Sequence, residues 1–118
     1  MPLISIEKLQ TEYERILLAR DMTQDMATKL AGTFVEMANE GVYSHGINRF
    51  PVFIGQVDQG QIKLNATPEC VNSMGALEQW DCNFGPGVLN GLICSDRAME
   101  LARQYGIGMV GMRNSNHW

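Results

Sequence analysis

Only Asp21 and Met22 separate two long stretches of helical periodicity, and so short a link leaves them one way to fold, as neighbouring antiparallel helices. The first runs from about Ser5 to Arg20. Ser5 can cap its free N–H groups, and Glu7 sits where the helix dipole favours negative charge. Ile6, Leu9, Tyr13, Ile16 and Leu17 recur at helical spacing as one stripe expected to be buried. The second runs from Thr23, a good N-cap, to about Glu40. Its apolar face is Met26, Ala27, Leu30, Ala31, Phe34, Met37 and Ala38, and Gly41 supplies a left-handed stop.

Pro51 lacks a backbone donor and belongs in the first turn of a third helix, from near Ile47 or Phe50 to Gln59, with Gly60 as its stop. Phe50, Phe53, Ile54 and Val57 give that helix a face for the first two. After Gly60 the pattern changes. Residues 61–68 read as polar and extended, and Cys70–Met74 and Ala76–Trp80 read as short strands around Gly75. Gly85-Pro86-Gly87 opens a helix from about Gly87 to Gln104, with Val88, Leu92, Met99 and Ala102 among its inner residues and Gly106 at its end. Ile107–Met112 reads as a strand buried on both sides, and Arg113 begins a polar loop. The fold class is α+β: a three-helix N-terminal subdomain over residues 1–60, then a mixed α/β portion over 61–118.

A net charge of −4 offers no basic footprint, which argues against nucleic acid or an anionic membrane as partner. No apolar run approaches the length of a membrane span, and Met1–Ser5 lacks the pattern of a signal peptide. Cys70, Cys82 and Cys94 are odd in number and lack C-x-x-C spacing, so neither a disulfide framework nor a zinc site is expected. Three reduced thiols in a cytoplasmic protein is the simpler reading.

One corner concentrates reactive groups: Ser44, His45 and Arg49 lie between Gly41 and Pro51. His45 is expected at or just before the third helix, where the dipole disfavours the imidazolium and a carboxylate would favour it. Arg49, one turn later, can point the same way. The other histidine, His117, lies in Asn114-Ser115-Asn116-His117, a loop after a buried strand, where functional loops commonly sit. For either histidine a structural role remains open. No G-x-G-x-x-G between strand and helix, Walker A, H-E-x-x-H or G-x-S-x-G occurs.

Three stretches carry a resemblance. Gly41–Pro51, with its Ser-His-Gly-x-x-Arg, is the first; Leu77–Asp81 is the second; Gly106-Ile107-Gly108 followed by Arg113–Trp118 is the third. Together they resemble the N-terminal part of the malate/L-lactate dehydrogenase family, whose nucleotide fold is not the Rossmann one. Tyr43, Asn48–Pro51 and Glu78–Asp81 are most similar to members that act on diketo sugar acids.

The resemblance implies reduction of a 2-keto acid to a 2-hydroxy acid with NADH or NADPH, by a homodimer. It gives His45 the role of proton donor to the carbonyl oxygen. Arg49 takes the substrate carboxylate, and Ser44 and His117 line the same pocket, His117 near substrate or nicotinamide. Phe53 stands where some relatives carry tyrosine, so any hydroxyl contact from that position is lost or replaced. Family members are considerably longer. The resemblance therefore implies an N-terminal portion with most of the cofactor site missing, inactive by itself. The competing reading is a non-catalytic homologue that serves as a dimerisation or interaction module.

Overall fold

A computed structural model describes residues 3–116. Its element order is α1 (Ile6–Leu18), α2 (Gln24–Asn39), a 3-10 turn (Tyr43–His45), α3 (Phe50–Asp58), β1 (Glu69–Met74), β2 (Leu77–Asp81), α4 (Gly87–Tyr105) and β3 (Met109–Arg113). The chain divides into two compact units, Met1–Asn65 and Ala66–Trp118. Helices fill the first and an α/β arrangement fills the second, so the fold class is α+β.

In the first unit, Ser5 caps α1 by accepting from the Lys8 N–H at 3.2 Å. The Gln10 amide donates to the Thr28 carbonyl and the Gln24 amide to Glu14, which sets α1 and α2 antiparallel. α2 ends in two reversed bonds: Gly41 N–H to Ala38 O at 3.2 Å and Val42 N–H to Met37 O at 2.8 Å. Gly41 supplies the positive φ of 82° that this closure requires. α3 closes the same way at Gly60. α1 does so with Asp21, a non-glycine at φ 62°.

Leu17, Leu30, Phe34, Phe50 and Phe53 form the core of this unit. The Tyr13 ring stacks on Phe50 with centroids 3.9 Å apart, and Phe34 meets Phe50 edge-on at 5.1 Å. Such pairs add about 0.5–1.5 kcal/mol each beyond the area they bury. Arg20, just past the end of α1, grips Asp58 at the end of α3 through two hydrogen bonds of 2.6 and 2.9 Å. The stripe on α1 is narrower than its spacing suggests: Tyr13 and Leu17 are buried, Leu9 and Ile16 half-buried, and Ile6 is 48% exposed. Residues 61–65 belong with the helices rather than forming a polar spacer. Ile62 and Leu64 are buried, and the Asn65 side chain bridges the α1–α2 link, accepting from Thr23 N–H and donating to Asp21 O.

In the second unit, β1 and β2 form an antiparallel hairpin with a bulge at Val71. Gly75, at φ 63°, opens its two-residue turn. β2 and β3 are parallel and connected through α4, giving the sheet order β1-β2-β3. β3 lies against β2 alone among the described strands and alternates exposed with half-buried residues. The expectation of a strand buried on both sides therefore fails. The inner face of α4 is also turned relative to expectation. Leu89, Asn90, Cys94 and Leu101 are buried, whereas Leu92 and Met99 are 54% and 50% exposed.

Among the described residues of this unit Glu78 is the one buried acidic residue, 4% exposed. Arg97 of α4 donates to it twice, at 2.9 and 2.6 Å, and the Trp80 indole donates at 2.9 Å. A buried carboxylate is tolerated only when its lone pairs are filled in this way. Arg97 accordingly holds the Glu78 carboxyl below its ordinary range, against the opposing effect of burial. Among the described residues no helix is long and apolar enough to cross a membrane.

Candidate functional site

The two reversed bonds that end α2 throw the chain directly into the Tyr43–His45 turn. His45 N–H donates to Val42 O at 3.1 Å, Gly46 N–H to Tyr43 O at 3.3 Å, and Asn48 N–H to Tyr43 O at 3.1 Å. Gly46 O then receives both Arg49 and Phe50 N–H groups at 3.1 Å, which starts α3. Glycine is needed at 46 because the turn rests on α2. A Cβ there would meet the backbone nitrogen of Ala38 at 2.7 Å and its Cα at 2.9 Å. The corner is thus braced from α2 on one side and from α3 on the other.

His45 lies on the 3-10 turn, ahead of Gly46 and not at the start of α3. Its ring is exposed, and Nδ1 stands 2.9 Å from the Ser44 hydroxyl oxygen. Arg49 occupies the N-cap position of α3 and is half-buried. Phe50 anchors the next position in the aromatic core. Val42, Tyr43 and Ile47, close to these residues in sequence, are exposed.

Arg49 differs from most of the other arginines. Among the described residues, Arg15, Arg20, Arg97 and Arg113 each hold a carboxylate. Arg49 holds none, and neither does Arg103, which is exposed on α4. A half-buried guanidinium without a carboxylate of its own chain is suited to receive one from outside, through a planar two-pronged contact. Phe53 is buried against Phe34 with centroids 5.4 Å apart, so it serves the core. Ser44 and His45 are brought together directly, and Arg49 follows within the same corner. His117 lies outside the described residues.

The loop that precedes His117 is held by three side-chain contacts on consecutive residues. Asn114, at φ 54°, donates to both oxygens of Asp81, at 3.2 and 3.1 Å. The Ser115 hydroxyl accepts from the Asn90 amide at 3.1 Å. The Asn116 side-chain oxygen accepts from Gly87 N–H and so caps α4. Asp81 is held below the ordinary carboxyl range, first by the Asn83 N–H and then by Asn114 and Arg113. Asp81 belongs to the Leu77–Asp81 stretch noted in the sequence, but its hold on Asn114 and the contact of Asn90 with Ser115 have no local pattern to mark them.

Among the described residues no cluster of three His, Cys, Asp or Glu side chains is placed to hold a metal ion. Space beside Gly85, Gly87 and Gly108 is filled by backbone of Ala66, Asn116 and Ala98 respectively.

Comparison with known proteins gives a consistent picture. The family model for malate/L-lactate dehydrogenase matches residues 4–118. The chain is 48% identical over 115 residues to 2,3-diketo-L-gulonate reductase of Mannheimia succiniciproducens and 46% identical over 115 residues to that of Haemophilus influenzae. Each match takes in 98% of this chain and 35% of the relative, so the chain spans about a third of their length. Among solved structures, sulfolactate dehydrogenase from Methanocaldococcus jannaschii superposes with a TM-score of 0.91 at 28% identity, over 98% of this chain and 34% of that one. Malate dehydrogenase from Entamoeba histolytica gives 0.89 at 32% identity, over 98% and 32%.

Proposed function

The chain belongs to the malate/L-lactate dehydrogenase family, and from that membership we propose that it carries the proton-donating and carboxylate-holding part of a 2-keto acid reductase. The substrate class is a diketo sugar acid, in line with the names of its relatives. The working form is a cytoplasmic homodimer using NADH or NADPH. A reduced nicotinamide, when bound, supplies the hydride to the carbonyl carbon. The residues of this chain deal with the proton and the carboxylate.

His45 gives a proton to the carbonyl oxygen as negative charge develops there, an effect typically worth about 10²–10⁴-fold in rate. Arg49 holds the substrate carboxylate and fixes which face of the carbonyl is presented. Ser44 and His117 line the same pocket. The observation that carries this reading is the half-buried Arg49, unpaired with any carboxylate among the described residues, following Ser44 and His45 in a single braced corner. Glycines 85, 87 and 108 are used for internal packing. Residues 1–118 alone are therefore expected to give no turnover.

Oxamate, a 2-keto acid mimic that cannot be reduced, tests the reading directly. Titrated into the isotope-labelled chain, it should move the Arg49 side-chain and His45 ring resonances. Arg49→Lys should weaken binding by about 10–150-fold, the range for a lost charge-assisted hydrogen bond of about 1.5–3 kcal/mol. Binding that survives Arg49→Ala unchanged, or leaves both residues unmoved, would remove the basis of the assignment. Steady oxidation of NADH or NADPH with a diketo sugar acid by residues 1–118 would overturn the expectation of inactivity.

A further inference from the structure

We propose that Asn90, buried near the start of α4, is a positioning residue for the loop after β3: through Ser115 it fixes Asn116, the residue from which the chain enters His117. Its functional weight rests on the pocket role proposed above for His117. Asn90 is 1% exposed. Its amide nitrogen donates to Gly85 O and to the Ser115 hydroxyl oxygen, each at 3.1 Å. The Gly85 carbonyl can only accept, which settles the orientation of the amide. The Ser115 hydroxyl donates in turn to Asn116 O at 3.2 Å, and the Asn116 side-chain oxygen accepts from Gly87 N–H. The contacts thus run from Asn90 through Ser115 to Asn116 and close on Gly87, in the same turn of helix where they began.

For packing alone Asn90 is a costly choice. Its Oδ1 is buried with no partner among the described residues, and an unpaired buried acceptor carries its full desolvation cost. Asparagine is also a poorer helix former than leucine. Leu89, Cys94 and Leu101 make up the apolar part of the buried face of α4, and a leucine at 90 would extend it without that cost. What leucine lacks is the pair of N–H donors. Asn116 has little room to drift toward the helix, since a Cβ on Gly87 would lie 2.8 Å from its Oδ1 and 2.9 Å from its carbonyl carbon. Asn114 is held separately by Asp81, and Ser115 also meets the Cys82 thiol. The part that falls to Asn90 is therefore the last step, from Ser115 into Asn116.

The test needs no turnover. Deuterium exchange of the Gly87 N–H is followed in nitrogen-15 spectra of the full chain, and a second sample carries His45→Gln so that its one imidazole is His117. Asn90→Leu and Ser115→Ala should each speed Gly87 exchange by about 2–13-fold, the factor for one hydrogen bond of about 0.5–1.5 kcal/mol. Each should also move the His117 ring signal toward its position in urea, while the Asn114 amide, held by Asp81, stays in place. The double variant should add nothing to either single one, because both break the same path. Ser115→Thr, which keeps the hydroxyl, should retain the parent values. Parent-like exchange and ring signals in Asn90→Leu or Ser115→Ala, additive effects, or Ser115→Thr matching Ser115→Ala would each overturn the proposal. If Asn90→Leu fails to fold, the two Ser115 variants decide it between them. Oxamate that leaves the His117 ring unmoved in the parent chain, while the variants shift it, would strike the pocket reading and leave the hold of Asn90 on the loop intact.

Discussion

Gly46 has no side chain because the backbone of α2 occupies the place where one would go, and Gly46→Ala should therefore dislodge the corner. The added Cβ would lie 2.7, 2.9 and 3.0 Å from the N, Cα and Cβ of Ala38. Ordinary carbon contacts fall at about 3.5–4.0 Å, so the turn must retreat from α2 by roughly 0.7–1 Å. Overpacking on this scale costs about 1–3 kcal/mol. A displacement near 1 Å at a reacting group can cost about 10²-fold in rate. Urea unfolding followed by circular dichroism should show a lower midpoint at an unchanged slope, and the His45 ring resonances should move. Adding Ala38→Gly should not restore stability, because the two nearest atoms belong to the helix backbone and remain. The glycine itself should cost up to about 1 kcal/mol more inside α2. Parent-like stability in Gly46→Ala, or full recovery in the double variant, would refute the argument.

Two further outcomes follow from the second unit. Glu78 and Asp81 both have folded-state pKa values lowered by hydrogen-bonding partners. Their contribution to stability is thus fully present above the unfolded carboxyl values of about 4 and is lost as pH falls through the lower folded values. Glu78→Gln should cost about 1.5–3 kcal/mol at neutral pH and make the acid limb of the stability profile shallower; an unchanged limb would rule out Glu78 as its source. Burial pushes the Cys94 thiol up to about 11 and raises Cys82 as well, whereas Cys70 is exposed. Ellman's reagent should count one fast thiol in the folded chain and three in denaturant, and three fast thiols in the folded chain would contradict the packing around α4.

Helix ends were the most legible part of this sequence. Ser5, Gly41, Pro51, Gly60 and Gly106 act on backbone groups within a few residues, and each stands where its chemistry requires. The inner faces were less legible, because periodicity marks a stripe without saying how much of it finds a neighbour. Ile6, Leu92 and Met99 lie outside the buried parts of their stripes. Asn65, which satisfies the α1–α2 link, and Asp81, which holds Asn114, act across 42 to 44 and 33 residues respectively. No local window contains both partners. In the site, the reactive corner was visible from residue types, but its footing on Ala38 and the contact between Ser44 and Nδ1 depend on three-dimensional placement.

The capping of α4 by Asn116 imposes an order on synthesis. The acceptor for the Gly87 N–H lies 29 residues downstream, and β3, the parallel partner of β2, also follows α4. A ribosome has therefore released residues 1–65 of the helical unit well before the second unit can complete this sheet or secure the Gly87 N–H of its long helix. Until residue 116 emerges, the Gly87 N–H has only water to satisfy it.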